Sequence, residues 1–173
     1  IAREVDCEEV VSFDSPEKYA SDCGIDIAQK LGYKNIITKS ADEYKNNVSF
    51  VEAEFVSSGE LGSGIVFTAF EQEFEDKIVF IGERGDKLWE KSRKDVNNEM
   101  RFEDEVFSGT SKVENRLKVG YINAFLPLFG AIEWPSIHEI TKSDDMKQYS
   151  IGGNYDRPIP RRILENKGVD RKM

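Results

Sequence analysis

The stretch IVFIGERGDKLWEKSRKDV, Ile78 to Val96, holds the residues whose spacing comes nearest to a chemical motif. GERGDK looks like half of a phosphate-binding loop, and Arg84, Gly85 and Asp86 spell RGD. A phosphate cradle needs G-x-x-x-x-G-K-[ST], with a hydroxyl after the lysine to hold magnesium. Here Gly82 and Gly85 stand too close, Asp86 separates Gly85 from Lys87, and Leu88 follows. The Asp86 carboxylate would also repel a phosphate. Nucleotide binding is not expected, and the RGD triplet reads as a strand-to-helix turn capped by Asp86.

Other groups suited to chemistry are few. His138 is the only histidine, and no nucleophile has a base near it in sequence. Beside Trp134 and Ile137 it reads as a packing residue, so the protein is expected to be no enzyme, with no cofactor and no catalytic or metal-ligating set. Cys7 and Cys23 cannot build a zinc site with one histidine. They are either a disulfide in an oxidising compartment or two small buried residues. Glu52/Glu54 and Glu71/Glu73 read as the wet faces of strands. Glu103, Asp104 and Glu105 offer hard oxygens for weak calcium binding, without the loop of a dedicated site. Phe125, Leu126, Leu128, Phe129 and Trp134 either complete a core or form an anchor on a partner.

The elements that would position these groups follow from periodicity. Ile1 to Val5 reads as a short strand. FDSPEKYASDCGIDIAQKLGYK reads as a helix, with Ser15 as cap, Pro16 in the first turn, an apolar stripe of Ala20, Cys23, Ile27 and Leu31, and Gly32 as stop. NVSFVEAEFVSS, GSGIVFTAFEQEF and DKIVFIGE read as three strands joined by short turns, hence antiparallel. A helix follows from Gly85-Asp86, with Trp89, Val96 and Met100 inward. Trp134-Pro135 reads as a break, and the Gly-, Pro- and Arg-rich end from Ile151 to Met173 as an extended arm, with Pro158 and Pro160 holding it extended.

Charge divides the chain. It carries −9 overall, which disfavours nucleic acid as a partner. Residues 109–173 hold 11 Lys and Arg against 8 Asp and Glu, and residues 1–108 hold 13 against 25. The expected organisation is an acidic domain, 1–108, and a basic docking arm, 109–173, using Phe125, Leu126, Phe129, Trp134, Arg157, Arg161 and Arg162. No apolar run is long enough to span a bilayer. The start carries no signal or transit pattern, and opening on Ile the chain is expected to be processed or partly ordered.

GERGDKLWEKSRKDV resembles the end of the PsbP domain, found in extrinsic proteins of the thylakoid lumen. The matching residues are Gly85, Asp86, Lys87, Trp89, Lys91, Arg93, Lys94 and Val96. SFDSPEKYASD, Ser12 to Asp22, is similar to that family's Ser-Pro-Glu helix start, with Ser15, Pro16 and Glu17 in register. The resemblance covers about residues 1–107. It implies an α+β fold, an antiparallel β-sheet flanked by α-helices in a PsbP-like α/β/α sandwich. The short start and the long end imply a divergent member with its own docking device. The implied role is a non-enzymatic subunit or assembly factor of a photosynthetic membrane complex, photosystem II or a photosystem I or antenna assembly. The implied location is the chloroplast thylakoid lumen, peripheral to the membrane, with membrane-protein subunits as partners. The rival reading is a soluble exported ligand- or ion-binding protein of α/β sandwich form.

Overall fold

The computed structural model describes residues 2–14, 23–40, 43, 65–99, 113–153 and 155–171. In chain order its elements are β1 (Glu9–Phe13), α1 (Ile25–Lys30), β2 (Asn35–Lys39), α2 (Glu71–Phe74), β3 (Ile78–Ile81), α3 (Gly85–Leu88), α4 (Val113–Val119), β4 (Ile122–Phe125), α5 (Leu126–Phe129), α6 (Trp134–Lys142) and α7 (Pro158–Asn166). Turns of 3-10 helix lie at Ala2–Val5, Ile65–Phe70, Ala131–Glu133 and Asp144–Tyr149. The protein is mixed α/β. Its contacts gather into two compact units, Ile1–Phe80 with Asp104–Ala124 and Ile81–Glu103 with Phe125–Met173. Each unit draws on both sides of residue 108.

In unit one, Ala2–Val5 is helical and not the expected strand; none of its residues is buried, so its apolar side chains have no core to alternate against. β1 runs parallel to β2, with Glu9 opposite Asn35 and Phe13 opposite Lys39. The antiparallel sheet expected from the sequence is corrected here. α1 lies in the connection and returns the chain to the starting end, which is what a parallel pair requires. Of the stretch expected to be a helix from Phe13 onward, Phe13 closes β1 and Ile25–Lys30 form α1. Its proposed cap and first turn, Ser15 to Glu17, lie outside the described residues. Gly32 is the stop expected: at φ +78° its N–H reaches Gln29 O, and that of Tyr33 reaches Ala28 O. Those two bonds close the helix in the left-handed turn that glycine adopts without strain.

The strand expected over IVFTAFEQEF is instead a 3-10 turn running into α2. Phe67, Phe70 and Phe74 recur at helical spacing, and Phe70 and Phe74 are buried with Ala69, Val119 and Tyr121. A short run that is bulky on both faces suits a buried helix as well as a buried strand. Phe13 packs on Phe70 at 5.1 Å between ring centroids, and Phe74 on Tyr121 at 5.3 Å. β3 stands where a strand was expected and pairs with β4. The strand expected over NVSFVEAEFVSS lies outside the described residues.

In unit two, the helix expected from Gly85 is a single turn. Arg84, in the left-handed region at φ +68°, takes the capping position expected of Asp86, and no side chain caps the turn. Trp134-Pro135, expected as a break, opens α6, because a proline in the first turn gives up an N–H that would have no partner there. The end expected to be extended forms α7. Pro158 and Pro160 lie in its first turn, and Gly168, at φ +86°, closes it with Val169 N–H on Leu164 O. Prolines at the start and glycine past the end are helix boundaries as much as marks of extended chain.

Candidate functional site

The apolar residues expected to act together in unit two part company. Trp134, His138 and Thr141 fall at i, i+4 and i+7 on α6, and all three are buried. Trp134 is 0% exposed, packed with Leu88 and Ala131, and Trp89, Val96, Leu128 and Ile137 surround that cluster. Phe129 is 74% exposed, while Phe125 and Leu126 are half-buried. Trp134 thus belongs to the core and Phe129 to the surface. His138 is a packing residue, as expected from its neighbours. Burial and the Lys142 charge hold its imidazole below the ordinary value, against backbone hydrogen bonds to Glu90 and Arg93.

The residues from Gly85 to Arg93 build this unit from inside. Gly85 is buried, and a Cβ there would meet the Trp89 ring at 3.4 Å and Pro127 at 3.5 Å. The Arg93 guanidinium lies 5.4 Å from the centre of the Trp134 ring. Lys91 closes a polar clasp around Asp156, which is 4% exposed. Ser150 donates its hydroxyl to Asp156 Oδ2, and Ile151 N–H donates to Oδ1 at 3.0 Å. Lys91 Nζ stands 3.7 Å from Asp156 Oδ2 and donates to Ser150 Oγ at 2.9 Å. Its backbone N–H reaches Asp156 O at 3.1 Å. Burial pushes the Asp156 carboxyl up. The Ser150 and Ile151 hydrogen bonds and the Lys91 charge outweigh that, so it ends below its ordinary value. Reading the sequence missed this clasp. Its signal is Gly152-Gly153, both at positive φ, followed by a carboxylate that gathers the freed amides.

The three arginines expected to dock lie around α7. The Arg157 guanidinium sits 3.4 Å above the Tyr155 ring, and Tyr155 is 68% exposed. Arg162 lies 5.8 Å from the Tyr149 ring. Arg161 donates to Arg171 O at 3.5 Å. Arg171 grips Glu165 through two N–H groups at 2.7 and 2.9 Å and Gln148 O at 2.8 Å. That grip lowers the Glu165 carboxyl and raises the Arg171 guanidinium. Ile151 and Ile163 are exposed near these groups in sequence. Arginine and aromatic side chains are residue types enriched at interfaces.

Unit one carries two clefts that share Cys7, Glu8 and Tyr33. One, of about 490 Å³, is lined by Arg3, Asp6, Lys34 and Asn35 as well. The other, of about 550 Å³, lies against β1 and β3. Cys7 and Cys23 are free thiols and half-buried, so they form neither the disulfide nor the pair of buried residues expected. Cys7 donates to Glu9 O at 3.4 Å. Burial, with Cys7 adding to it, pushes the Tyr33 hydroxyl up against the pull of Arg3. Among the described residues no three His, Cys, Asp or Glu side chains gather to hold a metal. Glu103 to Glu105, the calcium candidates, lie outside those residues. No helix among them is long and apolar enough to cross a membrane. No protein-family model, curated protein or solved structure matches the chain.

Proposed function

We propose that this protein is a non-enzymatic subunit that docks on an acidic protein surface through unit two. The observation that carries this reading is the exposed Tyr155 ring stacked under Arg157, with Ile163 and Arg162 exposed on α7. Arginine on an aromatic ring keeps its in-plane donors free for carboxylates, and its planar fork loses little entropy on binding. The Asp156 clasp and the Arg171 grip hold the neighbouring chain in place, which lowers the ordering cost of association. The assembly it joins is a photosynthetic membrane complex, met from the thylakoid lumen. That choice rests on the resemblance of Gly85 to Val96 to the PsbP domain.

The test is rebinding to salt-washed thylakoid membranes. The native chain is expected to bind them and leave in high salt. The triple variant Arg157→Glu, Arg161→Glu, Arg162→Glu is expected to stay in the supernatant while keeping its tryptophan emission. Rebinding by that variant with unchanged salt dependence removes the arginine face from the reading. Failure of the native chain to bind removes the photosynthetic partner.

A further inference from the structure

The cleft of about 550 Å³ in unit one is lined by consecutive residues of two strands. Glu9, Val10 and Val11 come from β1, and Ile78, Val79 and Phe80 from β3. Successive side chains of a strand point to opposite faces. A cleft touched by three in a row therefore runs along the strand's edge and not over one face. β2 occupies one edge of β1, and β4 one edge of β3. No residue of β2 or β4 is among those lining the cleft, as expected for one that follows the edges away from those partners. Val11 and Val79 pack against the same core cluster, so both strands rest on one floor. Lys77, just before β3, forms an ion pair with Glu9 at the start of β1, so two long side chains bridge the starting ends of the strands.

From these placements we propose that the groove between β1 and β3 receives an extended peptide from another protein, which adds a strand between them. Strand edges offer unpaired N–H and C=O groups, and an added strand satisfies them with main-chain bonds while side-chain pockets set specificity. The size agrees. A four-residue strand at about 3.3 Å per residue, about 4.8 Å wide and about 10 Å deep, occupies roughly 600 Å³. The cleft offers about 550 Å³. Charge defines the occupant further. Glu8, Glu9, Glu73 and Lys77 line the groove around an apolar interior; Lys77 pairs with Glu9 and Lys39 with Glu73, which leaves the Glu8 carboxylate to set the charge. The fitting peptide alternates apolar residues and carries a basic residue at the end that meets Glu8. Ile78, 59% exposed at the groove, is the apolar contact awaiting it.

The probe is a fluorescein-labelled, C-terminally amidated peptide, Lys-Val-Thr-Val-Thr-Val, titrated with the full chain and followed by anisotropy. Saturable binding is expected. Methylating alternate backbone nitrogens of the probe should weaken it at least tenfold, because it removes donors and leaves the side chains in place. Ile78→Lys and Glu8→Lys change exposed side chains and should each weaken binding at least fivefold with unaltered circular dichroism. Equal affinity for the methylated peptide would replace strand addition by simple apolar contact and overturn the proposal. No saturation at millimolar chain overturns it as well. So does a concentration-dependent dimer that excludes the probe, which would make a second copy the occupant.

Discussion

Unit one and unit two use their aromatic residues differently. Unit one stacks Phe13, Phe67, Phe70, Phe74 and Tyr121 in one continuous tilted series. At the end of that series Tyr121 O–H donates to Asn115 Oδ1 at 2.7 Å, and burial pushes the Tyr121 hydroxyl up to about 12. Unit two centres on the single ring of Trp134, and it holds its chain with charge: the Lys91–Asp156 clasp, the Arg171–Glu165 grip and Arg93 over Trp134. An aromatic stack fixes an interior and leaves the surface free. A charged clasp fixes loops, and loops are where recognition surfaces are placed. The unit with the stack carries the two clefts described above, and the unit with the clasps carries the half-buried Arg157 and Arg161 and the exposed Arg162.

The core residues test this contrast most strongly. Both tryptophans, Trp89 and Trp134, belong to unit two, so intrinsic emission reports on that unit. Trp134→Ala and Phe70→Ala should each cost about 3–5 kcal/mol, the usual loss for a buried aromatic truncated in a packed core. The emission midpoint should move for Trp134→Ala and hold for Phe70→Ala, whose loss should appear in far-ultraviolet circular dichroism. A common shift of both signals would make the two units one cooperative structure. Trp89 is only half-buried, so Trp89→Ala should cost less than Trp134→Ala in the same titration.

The clasp comes next in size. Asp156→Asn keeps the shape and removes the charge that Ser150, Ile151 and Lys91 hold, which should cost about 2 kcal/mol. The sign of the pH dependence follows from the lowered carboxyl. The folded value lies below the unfolded one, so the stabilisation is present above the unfolded value and is lost as pH falls through the folded value. Acid titration of tryptophan emission should show a loss of stability in that range for the native chain and a flatter curve for Asp156→Asn. Parallel curves would mean that another group drives the acid response.

Unit one has a smaller counterpart. Lys39 Nζ donates to Ala69 O at 2.7 Å and Glu73 at 2.8 Å, with both charged side chains mostly covered. Lys39→Met keeps the apolar stem and loses the ammonium head, which lies 5.6 Å from the centre of the Phe70 ring. The expected cost, measured by urea denaturation, is about 1–2 kcal/mol, since the charged bonds go but the apolar contact stays. A larger cost than for Asp156→Asn would reverse the contrast between the units.

The elements that could be read in advance are those fixed by local chemistry. Gly32 stops α1 because only its backbone conformation decides the matter, and Ile78 to Ile81 is a strand because β-branched residues stand between turn residues. His138 packs because its neighbours on α6 are apolar. The elements read wrongly depend on distant partners. IVFTAFEQEF suits a strand or a helix, and Phe13 and Tyr121, far along the chain, complete the cluster that favours the helix. Parallel pairing depends on where the connection returns, which periodicity in the strands does not contain. The tail was misread for a different reason: Pro158, Pro160 and Gly168 carry boundary chemistry, and counting them as composition discarded their order. Arg157, Arg161 and Arg162, expected to dock, are legible as a basic cluster, but the rings beside two of them are not.

Phe129 carries the smallest expected effect and separates surface from core within a few residues. It is 74% exposed, whereas Trp134, expected to join it in one anchor, is fully buried. α5 is a single turn, too short to bury all sides, and its Pro127 is the buried member. The ring therefore contributes little to folding, and Phe129→Ser should change stability by less than about 0.5 kcal/mol, the usual range for an exposed site. An exposed aromatic is costly to keep unless something covers it, and large exposed apolar groups mark contact sites when they gather. In the membrane-rebinding assay Phe129→Ser should therefore reduce retention while leaving the denaturation curve in place. A stability loss near that of Trp134→Ala would place Phe129 in the core of unit two. Unchanged stability together with unchanged retention would confine docking to the arginine face around α7.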